Sequence, residues 1–108
     1  MSEDVCEVII TAPDADWLAT FTRDLVDRRL AACGHIIGRI QSIYRWQGAV
    51  HDEVEARVAL HTRRSLVDAI TKVTQQQHPY DTPCVIAVQV VGGNPDYLAW
   101  VIDSTATS

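Results

Sequence analysis

The feature that most constrains this chain is a long stretch in which apolar and polar side chains alternate, interrupted once by a turn. Ile36, Ile40, Tyr44 and Trp46 fall on one parity, and Arg39, Gln41 and Arg45 fall on the other. After Gln47-Gly48 the alternation resumes, with Val54, Ala56, Val58 and Leu60 set against Glu53, Glu55, Arg57 and His61. A period of two over such a length belongs to extended strands, since successive side chains of a strand point to opposite faces. The Gln-Gly pair folds the two runs into one hairpin. Strands of this length exceed what a 108-residue domain needs for its own core. An edge that long aggregates unless something covers it. Cyclic association of identical subunits is one way to cover it.

The flanking segments supply the remaining elements. Val5 to Thr11 is a short β-branched run that reads as a buried first strand. Asp14 and Asp16 follow Pro13 at a helix start, where the helix dipole favours negative charge. Leu18, Phe21, Leu25 and Ala32 recur at helical spacing, which predicts a helix from about Asp14 to Leu30. A second helix is expected over Thr62 to Gln77, with Ser65 capping and Asp68 completing a capping box. His78-Pro79 ends it, because the residue before proline is driven out of helical geometry. Val85 to Val91 reads as a fourth strand, and Asp96 to Ser104 as a short closing helix. The tail from Ser104 to Ser108 is expected to be loose. The order β-α-β-β-α-β is the split βαβ arrangement of an α+β, ferredoxin-like single domain spanning residues 1–108: a four-stranded antiparallel sheet with both main helices on one face, plus a short C-terminal helix.

Composition excludes several classes of function. With 47% hydrophobic and 21% charged residues the chain has the material for a core. Its net charge of −5 opposes a nucleic-acid partner, whose affinity comes from Lys and Arg neutralising phosphates. No run approaches the roughly 18 apolar residues of a membrane span, and the acidic start lacks a basic leader with an apolar region, so a cytoplasmic address is expected. Cys6, Cys33 and Cys84 are odd in number and far apart, which reads as reduced thiols.

Five segments in order resemble the CutA, or divalent-cation-tolerance, family: Thr11-Ala12-Pro13-Asp14, Leu30-Ala31-Ala32-Cys33, Ser42-Ile43-Tyr44-Arg45-Trp46-Gln47-Gly48, His78-Pro79-Tyr80-Asp81-Thr82-Pro83 and Tyr97-Leu98-Ala99-Trp100. The match as a whole spans about residues 8 to 102. The resemblance implies a homotrimer similar in architecture to the PII signalling proteins, with a role in tolerance of copper and other divalent metal ions and no settled reaction. It also carries departures. His61 stands where many members have Lys, Cys84 where a glutamate follows the HPY-x-x-P proline, Gln77 where a histidine precedes His-Pro-Tyr, and Ile10 where bacterial members often have Cys. Glu55 and His78 remain as metal candidates near the regions associated with the family, and the expectation is weak Cu(II) binding.

The individual residues admit plainer roles as well. His78 is either a ligand or a cap on a helix end. Cys33, between Ala31-Ala32 and a strand, reads as a small buried hydrophobe; Cys6 and Cys84 are expected in strands with no metal partner near in sequence. His51, Glu53 and Glu55 share one strand side, as a metal face or a solvated one. Tyr44, Trp46, Tyr80 and Trp100 are candidates for a ligand pocket or an interface. The chain has no G-x-S-x-G, P-loop, G-x-G-x-x-G or H-E-x-x-H, so it reads as a non-enzyme. The alternative to a metal-tolerance protein is a PII-like regulatory module that binds a small anionic metabolite in clefts between subunits.

Overall fold

In the computed structural model, which describes residues 3–107, the alternating stretch is a hairpin that runs most of the length of the molecule. The elements are β1 (Val5–Ala12), α1 (Ala15–Asp27), β2 (Cys33–Trp46), β3 (Ala49–Arg63), a 3-10 turn (Arg64–Leu66), α2 (Val67–Gln77), β4 (Val85–Gln89) and α3 (Pro95–Asp103). Strand order is β2-β3-β1-β4, with every neighbouring pair antiparallel, as the ferredoxin-like pattern predicts. At the hairpin tip Gln47 and Gly48 both have positive φ, 51° and 80°, the backbone of a two-residue turn that matches strand twist.

Alternation sorts the strands into two faces. Val8, Ile10 and Ala12 of β1 and Ala56, Val58 and Leu60 of β3 pack beneath Leu18, Phe21 and Leu25 of α1 and Ile70 and Val73 of α2. On the opposite face, α3 lays Val101 on Val5 and Ala32. The sheet is therefore covered on both sides at one end. Elsewhere Ile37, Ile43, Val50, Val54, Ile86 and Val88 stay more than half exposed.

The hairpin is not one continuous ladder. From Trp46↔Ala49 to Ile40↔Glu55 it keeps one register, then slips by a residue between Ile37 and Ile40, so that Ile36 faces Val58 and Cys33 faces His61. Arg39, inside this bulge, has φ 62°. An extra residue in one strand exchanges the faces beyond it. Ile36 consequently shares the side of Val58, while Ile40 and Tyr44 share the side of Glu55 and His51. The single apolar side expected for Ile36, Ile40, Tyr44 and Trp46 is corrected accordingly.

Several boundaries also move for identifiable reasons. Asp14 caps α1 through its carboxylate, which accepts the Asp16 N–H at 2.9 Å. The helix stops before Leu30 because Arg29 turns left-handed, φ 60°, and Leu30 N–H returns to the Leu25 carbonyl at 2.9 Å. The Arg29 guanidinium then donates to the Asp103 carbonyl at the end of α3. Ser65 does not cap α2: its side chain makes no cap bond, its N–H is held by Glu3 Oε1 at 2.8 Å, and β3 continues through Thr62 and Arg63. The tail is anchored as far as Ala106, since Arg63 donates to the hydroxyl and carbonyl of Thr105 and Ala106 N–H donates to the Arg29 carbonyl. Ser108 lies outside the described residues. Cys84 sits in the loop before β4, exposed, and not in a strand.

Candidate functional site

Two groups of chemically capable side chains lie along the hairpin. The first forms where the loop of residues 78–84 reaches the Glu55 side of β3. Thr11, Tyr44, Trp46, Glu55, Tyr80 and Asp81 help to line a cleft of about 760 Å³. Tyr80 donates its hydroxyl to Glu55 Oε2 at 2.9 Å. Burial first, and this hydrogen bond to Glu55 second, push the Tyr80 phenol well above its ordinary pKa, so it keeps its proton. Tyr44 stacks on His51 at 5.2 Å, and Glu53 Oε1 lies 3.8 Å from His51 Nδ1. The strand face read from the sequence for His51, Glu53 and Glu55 thus exists, but Glu55 alone of the three is buried. No Lys or Arg lines the cleft among the described residues, which disfavours an anion there.

His78 is the strut of this loop. Its Nδ1 accepts the Tyr80 N–H at 3.0 Å, so Nε2 carries the proton and donates to the Thr11 carbonyl at 2.8 Å. Trp17 meets the imidazole edge-on at 5.1 Å while stacking on Phe21 at 4.9 Å. Neither nitrogen of His78 is free for an ion in this arrangement. Tyr80 bridges His78 to Glu55, and both metal candidates are therefore already engaged. Trp17 itself is partly buried against the core. Trp100 does not join the cleft: it lies on α3 beside Tyr97, with ring centroids 5.6 Å apart.

The second group lies under α3, where β2 begins. Cys33 and His35 are two residues apart on one strand and share a face, and His61 is the cross-strand partner of Cys33. The donor atoms of these three side chains all lie within 4.8 Å of one another. Cys33 Sγ is 3.7 Å from His61 Nδ1 and 3.2 Å from the Tyr97 hydroxyl, which also hydrogen-bonds His61 Nδ1. On its other side, His61 Nε2 meets Glu7 Oε2 at 2.9 Å. Burial first, and the contact with Cys33 second, push the Tyr97 phenol up to about 12. The sequence reading missed this group. It treated Cys33 as buried filler and started the second strand at Ile36, which hid the Cys-x-His spacing.

Comparison with known proteins agrees with this fold. The family model for the CutA1 divalent ion tolerance protein matches residues 6–104. The rice chloroplastic protein CutA 1 is 38% identical over 101 residues, which is 94% of this chain and 57% of that protein. The chain thus spans little more than half the length of that curated relative. The divalent-cation tolerance protein CutA of Thermus thermophilus is 35% identical over 98 residues, covering 91% of this chain and 95% of its own. The crystal structure of CutA1 from Oryza sativa superposes with a TM-score of 0.95 at 36% identity, covering 99% of this chain and 98% of that one. By sequence and by fold, the chain belongs to the CutA1 divalent ion tolerance family.

Proposed function

We propose that the protein serves tolerance of divalent metal ions, copper among them, as a cytoplasmic homotrimer that binds the ion and transforms no substrate. The observation that carries the assembly is the hairpin itself. Ile37, Ile43, Val50 and Val54 on it, with Ile86 and Val88 on β4, are each more than half exposed in one copy. Scattered apolar residues are ordinary on a surface, but a run of them along unpaired strand edges marks an association face. Closure into a ring pairs each such face with a neighbour and leaves none open.

For the ion, the cleft offers the Glu55 carboxylate. His78 would join it only by giving up one of its two bonds, such as the one that Nδ1 accepts from the Tyr80 N–H. Imidazole with carboxylate suits Cu(II), and affinity for such donors rises toward copper along the first-row series. A site that must first break a standing hydrogen bond of its imidazole binds weakly. Light scattering at micromolar concentration should return a trimer mass; a monomer would sink the assembly. Cu(II) calorimetry should show weak binding that is reduced in Glu55→Ala and His78→Ala. The PII-like alternative keeps one support, the aromatic walls of the cleft, and its carboxylates favour a neutral or cationic molecule.

A further inference from the structure

We propose that Cys33, His35 and His61 form a binding site for a thiophilic divalent ion of the Zn(II) type, with Glu7 fixing the orientation of His61. The assignment rests on the ion-binding reading above and moves the ion from the cleft to the opposite end of the hairpin. It names a donor set that differs in chemistry from Glu55 and His78.

The first argument is metric. Zn–S bonds of about 2.3 Å and Zn–N bonds of about 2.05 Å at tetrahedral angles place sulfur and nitrogen about 3.6 Å apart, and two nitrogens about 3.3 Å apart. Cys33 Sγ and His61 Nδ1 are already at 3.7 Å. All three donor atoms lie within 4.8 Å of each other, so closing the set asks for a shift of roughly 1.5 Å at most. His35 is exposed and can make that shift by rotating its side chain.

The second argument is protonation. The Glu7 carboxylate accepts from His61 Nε2, which leaves the Nδ1 lone pair facing Cys33. A carboxylate behind a histidine is the usual device that fixes tautomer and ring orientation at a metal. With Nδ1 unprotonated, the hydrogen-bonded chain runs from the Cys33 thiol to the Tyr97 oxygen and from the Tyr97 hydroxyl to His61. Ion binding removes the Cys33 proton and takes both the sulfur and Nδ1 as donors, and Tyr97 gives up its bond to Nδ1. A fourth position is left for water or another oxygen donor.

A purely structural reading would have Tyr97, His61 and Glu7 merely pin α3 to the sheet. His35 does not fit that reading. It contributes nothing to the pin, yet its ring meets His61 edge-on at 5.3 Å, and it shares the strand face with Cys33. One thiolate with two imidazoles selects zinc-like and copper-like ions over Mg(II) and Ca(II), which prefer oxygen.

The test uses the full chain under reducing conditions, with Co(II) as a coloured stand-in and Zn(II) competition to read affinity. The wild type should show thiolate-to-cobalt charge-transfer absorption and the d–d bands of a tetrahedral ion, both bleached by Zn(II). Cys33→Ser should abolish the charge-transfer band. His35→Gln, at an exposed position that leaves the fold intact, should weaken Zn(II) binding at least about 10-fold, and Glu7→Gln by about 10–100-fold. Spectra and affinity unchanged in Cys33→Ser and His35→Gln overturn the assignment. If binding then proves sensitive to Glu55→Ala, the ion-binding reading stands with its site in the cleft. A wild type with no charge-transfer band also overturns the assignment, and Cu(II) calorimetry on the same sample then judges the broader reading by itself.

Discussion

Gly34 lies between Cys33 and His35 where β2 passes close against Thr22 of α1, and a single methyl there should be costly. A Cβ built on Gly34 would stand 2.5 Å from Thr22 Cγ2, 3.0 Å from Leu60 Cδ2 and 3.1 Å from Val58 Cγ2. Carbon atoms pack best at about 3.5–4.0 Å, so the Thr22 contact alone demands roughly 1 Å of separation between strand and helix. Leu60 and Val58 close the directions of escape, and both belong to the fully buried core. Overpacking of this kind costs typically 1–3 kcal/mol, and three simultaneous contacts put Gly34→Ala at about 2–3 kcal/mol. At about 4–8 °C per kcal/mol for a domain of this size, the midpoint of thermal unfolding should fall by roughly 8–24 °C. The measurement belongs at fixed protomer concentration, because assembly makes the midpoint concentration-dependent. Gly38→Ala is the control, since its added methyl would meet only Ala15 Cβ at 4.0 Å. Thr22→Ala should relieve the clash and recover much of the loss. It is a mild change, because the Thr22 hydroxyl is buried without a partner among the described residues. Less than about 0.5 kcal/mol for Gly34→Ala, or simple additivity with Thr22→Ala, would refute this account of the packing.

Trp46→Ala should weaken subunit association by about 2 kcal/mol and leave the protomer folded, as expected for an interface aromatic. Trp17→Ala should instead lower fold stability by roughly 2–3 kcal/mol, because it loses the stack on Phe21 and the edge contact with His78; sedimentation and denaturation run in parallel separate the two, and interchanged results would reverse the assignments. Hydrogen bonds from Ser65 first, and Arg63 after them, hold the Glu3 carboxyl below its ordinary value. Its contribution to stability is therefore complete above the unfolded carboxylate range near about 4.3 and fades as pH falls through the lower folded value, so Glu3→Gln should flatten the acid limb of a stability-pH curve. Gln47 holds φ 51° at the hairpin tip. Asn tolerates that region better, so Gln47→Asn should add about 0.5 kcal/mol in urea unfolding, and a loss would argue against the turn geometry.

Strand and helix order, the turn at Gln47-Gly48 and the stop at His78-Pro79 were legible in the sequence because each depends on local chemistry: a period of two, a period near 3.6, a left-handed tip, a proline. The family was legible for the same reason, through short segments in fixed order. Helix ends were less so. Arg29 closes α1 and Glu3 occupies the N–H of Ser65, and both acts depend on residues distant in sequence.

Pairing was decided by the tertiary structure. Counting back along the hairpin from Trp46↔Ala49 would set Cys33 opposite Thr62, on the helix-covered face, where a small buried thiol is the sensible reading. The bulge between Ile37 and Ile40 adds one residue to β2 and sets Cys33 opposite His61 on the other face. One residue of slip exchanges the faces of a strand, and no periodicity announces where it occurs, because Gly38-Arg39 only permits the bulge and the packing of both strands against α1 selects it. The same slip separates Ile36 from Tyr44. The sequence by itself determined which elements form and in what order, while the fold decided which side chains meet, since that depends on register and on α3 crossing to the second face of the sheet.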